Sequence, residues 1–474
     1  MAIIVTVLTY FVALFALSRL TARRATNEAF YRADRRSPWY MVAFGMVGAS
    51  ISGVTFVSVP GMVLTSQMTY LQMCLGFIVG YVSVAFVLLP LYYRLNLTTI
   101  YTYLGQRLGR RSYRTGAWFF LLSKMTGAAV KFYVVCMILQ RFVFDAVGVP
   151  FWLNAAVLVA LIWLYTHRGG IKTLVVTDTF QTACLFSALL LVIYKVVMAL
   201  DLSVAEAVRA VVESPMSRVF VFDDWLSRQN FWKQFLSGAF TVFVMTGLDQ
   251  DMMQKNLTCK TLREAQKDMC AYGVAFVPAN LLFLALGVLL TMLGVGPGGG
   301  DDLLPAYVAQ AGTFVSVLFT LGVLAASFST ADSALTSMTT CFCVDVCLRP
   351  ADERLRKRTH VAMCLLFVLF ILLFRYVNST SLIDAIYVMV SYTYGPLLGL
   401  FTFGLFTRRV PDDRLVPYVC VASPLLCYGA DVLAQSLWDY RFGYELLMLN
   451  GFLTFAGLWI CSRHTRSAGS QTLS

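Results

Sequence analysis

The amino-acid sequence predicts an all-α polytopic membrane protein with about 13 transmembrane helices. Hydrophobic residues make up 59% of the 474-residue chain and charged residues only 13%, whereas soluble domains contain about 25% charged residues. The apolar residues form segments long enough to cross a bilayer as helices. These segments lie approximately at 2–18, 39–65, 69–92, 117–140, 150–166, 174–199, 234–253, 269–295, 312–344, 360–376, 382–406, 415–435 and 443–461. A short amphipathic helix is expected near 204–212, in the longest outer loop.

The net charge of +12 is explained by membrane orientation rather than by nucleic-acid binding. With the N-terminus outside, most of the 37 Lys and Arg residues fall in loops on the inner side, as the positive-inside rule requires. The sequence therefore predicts an integral protein of the plasma (inner) membrane with its C-terminus in the cytoplasm. The lipid bilayer is an expected partner and nucleic acid is not; a monomer is compatible with the sequence.

A polar stretch at 325–337 interrupts the apolar segment 312–344. An ionised Asp332 at the centre of a spanning helix costs at least roughly 2.5–3.5 kcal/mol, so a carboxylate kept there usually serves an ion or a substrate. At helical spacing, small and hydroxyl residues share one face of this helix: Ala326, Ser329, Thr330, Ser333 and Ser337. Their oxygens suit a hard cation such as Na⁺. For the serines alone, close helix packing is the alternative; Asp332 favours an ion site.

The second apolar segment is predicted to break in mid-membrane. Its centre contains Gly48, Ser50, Ser52, Gly53 and Thr55. Glycine lowers helix propensity, and unwound backbone at this depth is tolerated only where it lines a cavity. Carbonyl groups freed there are able to ligate a cation. A flexible, Gly-rich packing helix is the alternative.

Other predicted spans also carry charged residues. Lys124 and Lys131 lie two turns apart in one span. Lys124 is expected to snorkel towards the inner arginines, whereas Lys131 either pairs with a buried carboxylate or receives an anionic substrate. Asp178 lies about one turn into its span beside a polar row, which favours an intramembrane ligand over a solvated helix end.

A second break is predicted where the segment 234–253 ends in Thr246-Gly247-Leu248-Asp249-Gln250-Asp251. Paired breaks in the two halves of a chain indicate an inverted-repeat transporter with its site between the halves. The alternative is that Asp249 and Asp251 mark the inner end of this span.

The histidines bear on the coupling ion. His167, His360 and His464 all fall at inner helix ends, where none is placed to relay a proton across the membrane. Na⁺ coupling is therefore favoured, although Asp178 and Asp332 are able to carry protons, which keeps proton coupling open. The twelve cysteines lie mostly in apolar segments, where a free thiol behaves as a small hydrophobe.

The chain resembles the sodium:solute symporter family, whose members include sodium/galactose, sodium/proline and sodium/sialic acid transporters. The resemblance covers about residues 20–460 and rests on several motifs in the expected order. They are 48–61, Gly169-Gly170-Ile171-Lys172 through Asp178 and Gln181, Thr246-Gly247-Leu248-Asp249-Gln250, and 329–345. The family implies a LeuT-type fold, in which a 5+5 inverted repeat follows one extra N-terminal helix.

This resemblance also implies the boundaries of a single transport domain, 1–462. The extra helix would span 1–20, the first repeat about 39–199, the second repeat about 234–406, and two C-terminal helices 415–462. A polar cytoplasmic tail, 463–474, would follow.

Two sodium sites are implied by the resemblance. The first would use the backbone carbonyls of Gly48 and Ile51 with Ala326, and the hydroxyls of Ser329 and Thr330. The second, present in some members, maps to Asp178, Ser329, Asp332 and Ser333. Members with that site often have a serine where Asp332 stands, so the number of Na⁺ ions per cycle stays open.

A substrate pocket is implied as well, lined by Ser50, Ser52, Thr55, Gln72, Lys131, Asp249 and Gln250. The position of Lys131 matches an arginine that holds the substrate carboxylate in sialic acid transporters, which indicates an organic anion. Lysine, however, offers a point charge rather than the bidentate fork of arginine.

The prediction is thus a Na⁺-coupled secondary symporter that imports a small organic solute (a sugar, a sialic acid or another organic anion) by alternating access. The alternatives are a proton-coupled symporter and a gradient-independent facilitator or channel of the same architecture. An enzyme is not expected, because the sequence has no nucleophile motif, metal cluster or cofactor loop to support one.

Overall fold

The computed structural model describes residues 2–21, 26–225, 227–294, 300–377, 382–438, 440, 442–443 and 445–463. Most of it is helical. The α-helices are α1 (Ala2–Thr21), α2 (Asn27–Arg32), α3 (Trp39–Ser50), α4 (Gly53–Ser66), α5 (Tyr70–Ser83), α6 (Leu89–Arg94), α7 (Thr102–Arg107), α8 (Arg110–Leu139), α9 (Phe151–Thr166), α10 (Ile171–Ala199), α11 (Val204–Glu213), α12 (Phe231–Val242), α13 (Gln250–Asn256), α14 (Leu262–Met292), α15 (Leu303–Gln310), α16 (Thr313–Cys341), α17 (Glu353–Val377), α18 (Leu382–Phe406), α19 (Val416–Trp438) and α20 (Leu446–Ile460). Two short strands, β1 (Val410–Pro411) and β2 (Ser462–Arg463), pair antiparallel, with Val410 opposite Arg463.

Helix forms in each of the thirteen predicted apolar segments. Among the described helices, nine are long and apolar enough to cross a membrane, and α3 with α4 makes a tenth if the bent pair is one span. Helices α9 and α20 are apolar but shorter. The predicted number of thirteen spans therefore stays a prediction. Of the predicted tail, all but its first residue lies outside the described residues.

The predicted break in the second span is confirmed. Helix α3 ends at Ser50, α4 begins at Gly53, and the two helices are bent by 63° relative to each other. Ile51 has φ −78° and ψ 95°, which is extended backbone. Glycine at 53 allows a close helix approach, because a Cβ there would lie 2.3 Å from Ser327 Oγ.

A second interruption separates α12 from α13. A π-helical turn, Phe243–Gly247, follows α12. Asp249 then has extended backbone, and its carboxylate accepts hydrogen bonds from the N–H groups of Asp251 (2.8 Å) and Met252 (3.4 Å). Asp249 is thus the N-cap of α13, and the break falls one or two residues after the predicted Thr246-Gly247.

Helix α16 forms the centre of the bundle. Every residue from 323 to 341 is buried, and the helix packs against α8, α10 and α17 and also contacts α3 and α4. A helix that is buried on all sides needs no polar face for solvent. The hydroxyls and the carboxylate of 325–337 are consequently directed at other helices.

The predicted amphipathic helix in the outer loop is α11. Ser203 and Glu206 form a reciprocal capping box at its start, which satisfies two of the free N–H groups there. Hydrogen bonds from the Ser203 side chain and backbone lower the pKa of the Glu206 carboxyl below its usual value.

Candidate functional site

Helix α16 meets the first helix break through Thr330. The Thr330 hydroxyl lies 2.9 Å from the carbonyl oxygen of Ala49 and 3.1 Å from that of Ala326. Ala49 belongs to the last turn of α3, next to Gly48 and before the extended Ile51. The structure therefore places Thr330 of α16 against the last turn of α3, which contains Gly48 and precedes Ile51. Ala49 is an addition that the sequence did not single out.

The oxygen atoms at this junction are suitable ligands for a sodium ion. They are backbone carbonyl and hydroxyl oxygens, which are the ligands that hard cations prefer. Ile51, Ala326 and Ser329 have no exposed surface, and Thr330 is 5% exposed. A carbonyl at the end of a broken helix lacks its intrahelical partner, so a cation is able to take that place.

A carboxylate pair lies beside this junction. The Ser329 hydroxyl donates to Asp178 Oδ1 at 2.7 Å. Asp332 Oδ2 accepts from the Tyr165 hydroxyl at 2.7 Å, and its Oδ1 accepts from Ser333 at 3.3 Å. All of these side chains are buried. The residues of the predicted second sodium site therefore come together on α10 and α16.

Lys255 also belongs to this group, although the sequence did not identify it. Its Nζ lies 2.8 Å from Asp178 Oδ2, and the two side chains are 2% and 1% exposed. Lys255 is on α13, after the second break, where the sequence placed the end of a span. The sequence signal for Lys255 was its position in a short polar stretch, four residues after Asp251. Spacing could not identify its partner Asp178, which lies 77 positions earlier in the chain.

A central cavity lies between the two breaks. Its volume is about 130 Å³, below the roughly 300–1,000 Å³ of typical small-molecule sites. Five of the predicted substrate residues line it: Ser50, Ser52, Thr55, Lys131 and Asp249. Tyr70, Tyr81, Tyr272 and Tyr394 line it too, and Tyr272 shares a hydrogen bond with Ser50. Tyr81, Tyr272 and Tyr394 were not predicted, since nothing in their local sequence separates them from packing residues.

Two predicted substrate residues lie elsewhere. Gln72 accepts a hydrogen bond from the N–H of Val221 (3.1 Å) and donates to the carbonyl of Gln229 (2.9 Å). Gln250 accepts from the N–H of Ile100 at 2.9 Å. Both are fully buried and neither is among the residues that line the cavity. Their amides hold loops in place, which corrects the prediction that they line the pocket.

The two lysines of α8 differ in their partners. Lys124 Nζ lies 2.7 Å from Asp251 and 3.2 Å from Asp249, and Asp249 also accepts from the Tyr394 hydroxyl at 2.5 Å. The expectation that Lys124 snorkels towards inner arginines is therefore wrong, because two buried aspartates hold it in the protein interior. Lys131 lines the same cavity and has no carboxylate partner among the described residues.

Two broken helices that meet beside a buried, oxygen-rich centre define a secondary transporter of the discontinuous-helix class. The model of the sodium:solute symporter family matches residues 30–413. The chain belongs to this family. It is an integral membrane protein that couples symport of a small organic solute to Na⁺.

Its relatives include two bacterial sialic acid transporters. The chain is 25% identical to the sodium/sialic acid symporter NanT of Aliivibrio fischeri, over 94% of this chain and 91% of the relative. It is 22% identical to the sodium/sialic acid symporter SiaT of Proteus mirabilis, over 86% of each chain. Similarity extends to the human sodium/iodide cotransporter, 27% identical over 50% of this chain and 36% of that protein.

A solved structure confirms the predicted fold class. It is the substrate-bound, outward-open state of a Na⁺-coupled sialic acid symporter, with a TM-score of 0.81, 18% identity and 97% coverage of both chains. The nucleobase-cation symporter Mhp1 in a closed conformation is a more distant match, with a TM-score of 0.59, 16% identity and coverage of 91% of this chain and 94% of that one.

Proposed function

We propose that the transported solute is an organic anion whose carboxylate binds Lys131, with a sialic acid as the leading candidate. One observation carries the proposal: Lys131 lines the central cavity without a carboxylate partner among the described residues, whereas Lys124 and Lys255 are each paired with aspartate. A charge within the membrane is costly unless it is paired. A carboxylate on the solute supplies the missing partner.

Asp249 explains why Lys124 does not compete for this role. Its carboxylate, with that of Asp251, already neutralises the Lys124 ammonium. An anion that enters the cavity is therefore repelled near Asp249 and attracted near Lys131. This difference orients an asymmetric solute, with its acidic end at α8.

The remaining polar groups of the cavity suit a solute with several hydroxyls. Ser50, Ser52 and Thr55 on the first break and Thr241 and Thr246 before the second supply hydrogen-bond partners on opposite sides. Phe77 and Phe276 add apolar surface. A sialic acid combines one carboxylate with a polyhydroxylated body, and two relatives are sialic acid symporters by name.

The first sodium site is proposed at Gly48, Ile51, Ala326, Ser329 and Thr330. Sodium there ties α16 to the break between α3 and α4, and the same break supplies Ser50 and Ser52 to the cavity. Binding of the ion thus stabilises the substrate-binding backbone, which is the physical basis for coupling.

We further propose import by alternating access, in a plasma (inner) membrane, with the N-terminus outside and the C-terminus in the cytoplasm.

Ligand-induced thermal stabilisation of the purified protein tests the proposal. N-acetylneuraminate in NaCl should raise the unfolding temperature, because a ligand that binds only the folded state stabilises it. N-acetylmannosamine, which lacks the carboxylate, should not. Replacement of NaCl by KCl should abolish the effect. Equal stabilisation by the neutral sugar would contradict an anionic solute.

Variants of Lys131 sharpen this test. Lys131→Met should weaken binding roughly 10- to 100-fold, since a hydrogen bond to a charged group contributes about 1.5–3 kcal/mol, whereas Lys131→Arg should retain most of it. Lys195→Met is the matched control, because Lys195 lies over the Phe314 ring, away from the cavity. Unchanged affinity in Lys131→Met would remove Lys131 from the site.

A further inference from the structure

The buried ion pair between Lys255 and Asp178 involves a residue of the predicted second sodium site. Lys255 Nζ lies 2.8 Å from Asp178 Oδ2, and among the described residues this ammonium has no hydrogen-bond partner besides that carboxylate. It is therefore held there by charge rather than by a network of hydrogen bonds. Lys255 lies on α13 and Asp178 on α10, so the pair also joins the two halves of the chain.

Both oxygens of Asp178 are engaged in this arrangement. Oδ1 accepts a hydrogen bond from the Ser329 hydroxyl, with 2.7 Å between the two oxygens, and Oδ2 faces the Lys255 ammonium. A sodium ion ligated by Asp178 would lie close to the Lys255 charge, with the site closed to water. Two cations at one buried carboxylate repel each other strongly, because the interior screens charge poorly.

Asp332 is bound by hydrogen-bond donors on both of its carboxylate oxygens. Its two carboxylate oxygens accept hydrogen bonds from Tyr165 and Ser333. Hydrogen bonds of this kind stabilise a buried carboxylate.

We propose that the Lys255 ammonium takes the place of a second sodium ion at Asp178, so that the chain binds a single sodium ion, at the junction of α3 and α16. A tethered ammonium supplies the charge of a cation but cannot cross the membrane. This inference rests on the proposed first sodium site.

Equilibrium binding of ²²Na⁺ to the purified full-length protein tests the inference without reference to transport. The wild-type protein should bind one ²²Na⁺ per chain at saturation, with a Hill coefficient near one. Lys255→Met should bind two, with a Hill coefficient above one, because Asp178 is then free to hold an ion. Lys255→Arg should bind one, because it keeps the cation.

Lys172→Met is the matched control. Lys172 pairs with Asp34 at 2.9 Å, nearly the same distance, but both side chains are more than a third exposed, and the count should stay at one. The double variant Lys255→Met with Asp178→Asn should also bind one, because the carboxylate is removed with the ammonium.

Two results would overturn the proposal: two ²²Na⁺ ions bound per wild-type chain, or a folded Lys255→Met that binds only one. A wild-type count of two overturns the proposal even if Lys255→Met does not fold. Absence of any ²²Na⁺ binding to the wild type would instead refute the proposed first sodium site, and the inference with it.

Discussion

Three lysines lie near the centre of the molecule, and they differ in their ion-pair partners. Lys124 is neutralised by Asp249 and Asp251, and Lys255 by Asp178. Lys131 lines the cavity with no carboxylate partner in the described part of the chain. The sequence places Lys124 and Lys131 on one side of one helix but carries no information on which of them is paired. That depends on where the chain places Asp251 and Lys255 of α13 relative to α8 and α10.

The hydroxyls of Ser329 and Thr330 provide the residue-scale test of the sodium site. The double variant Ser329→Ala with Thr330→Ala should lower Na⁺ affinity at least about tenfold for each lost ligand, equivalent to roughly 1.4 kcal/mol per hydroxyl. ²²Na⁺ binding to the purified variant measures the effect directly. Wild-type affinity in the double variant would exclude both hydroxyls as ligands.

Ser337→Ala is the control on the same helix. Its hydroxyl is buried and, within the described part of the chain, donates only to the Ala334 carbonyl, which is an intrahelical partner. This substitution should therefore leave Na⁺ affinity unchanged.

At the scale of elements, the positions of the helix breaks were predictable, whereas contacts between residues distant in the sequence were not. The first break follows from glycines and hydroxyls at 48–55, because helix propensity is a local property of the sequence. The burial of 323–341 likewise agrees with a polar stretch inside an apolar segment. By contrast, the positions of Gln72 and Gln250 were wrong, since each amide bonds to a loop that is distant in the sequence.

The approach of α4 to α16 can be tested through a glycine. A Cβ at Gly53 would lie 2.3 Å from Ser327 Oγ, so Gly53→Ala should destabilise the protein by about 1–3 kcal/mol through overpacking and weaken Na⁺ binding. Ser327→Ala should rescue most of this loss, because the serine Cβ would be 3.7 Å away and the remaining close atom, Val323 Cγ1 at 3.2 Å, would need to shift by only a few tenths of an ångström. Thermal unfolding with and without Na⁺ measures both effects.

The Ser327→Ala substitution should itself cost the protein little stability. Ser327 Oγ is buried without a hydrogen-bond partner in the described structure, so its removal loses no protein hydrogen bond. Gly429→Ala is the control, as nothing lies within 4 Å of a Cβ at that position. If Gly53→Ala were as stable as wild type, the close contact at the break would not exist.

At the scale of the whole molecule, composition and segment lengths were sufficient to predict a polytopic helical membrane protein, and the ordered motifs were sufficient to predict its family. The orientation of the termini rests on the distribution of Lys and Arg and stays a proposal. Substrate identity is harder to predict, because it depends on which polar groups converge on the cavity from α4, α8, α12 and α13.

Symport also makes a prediction at this scale. Sodium at the junction of α3 and α16 and an anion at Lys131 both bind beside the same helix break. Each should therefore increase the affinity for the other by the same factor, and the solute should move only when its movement is coupled to that of Na⁺.

Uptake of radiolabelled N-acetylneuraminate into proteoliposomes tests this claim most directly. With an inward Na⁺ gradient, the anion should accumulate transiently above its external concentration, and this accumulation should disappear when choline or K⁺ replaces Na⁺ and when the gradient is collapsed. Saturable accumulation of the anion that is the same with and without a Na⁺ gradient would contradict it.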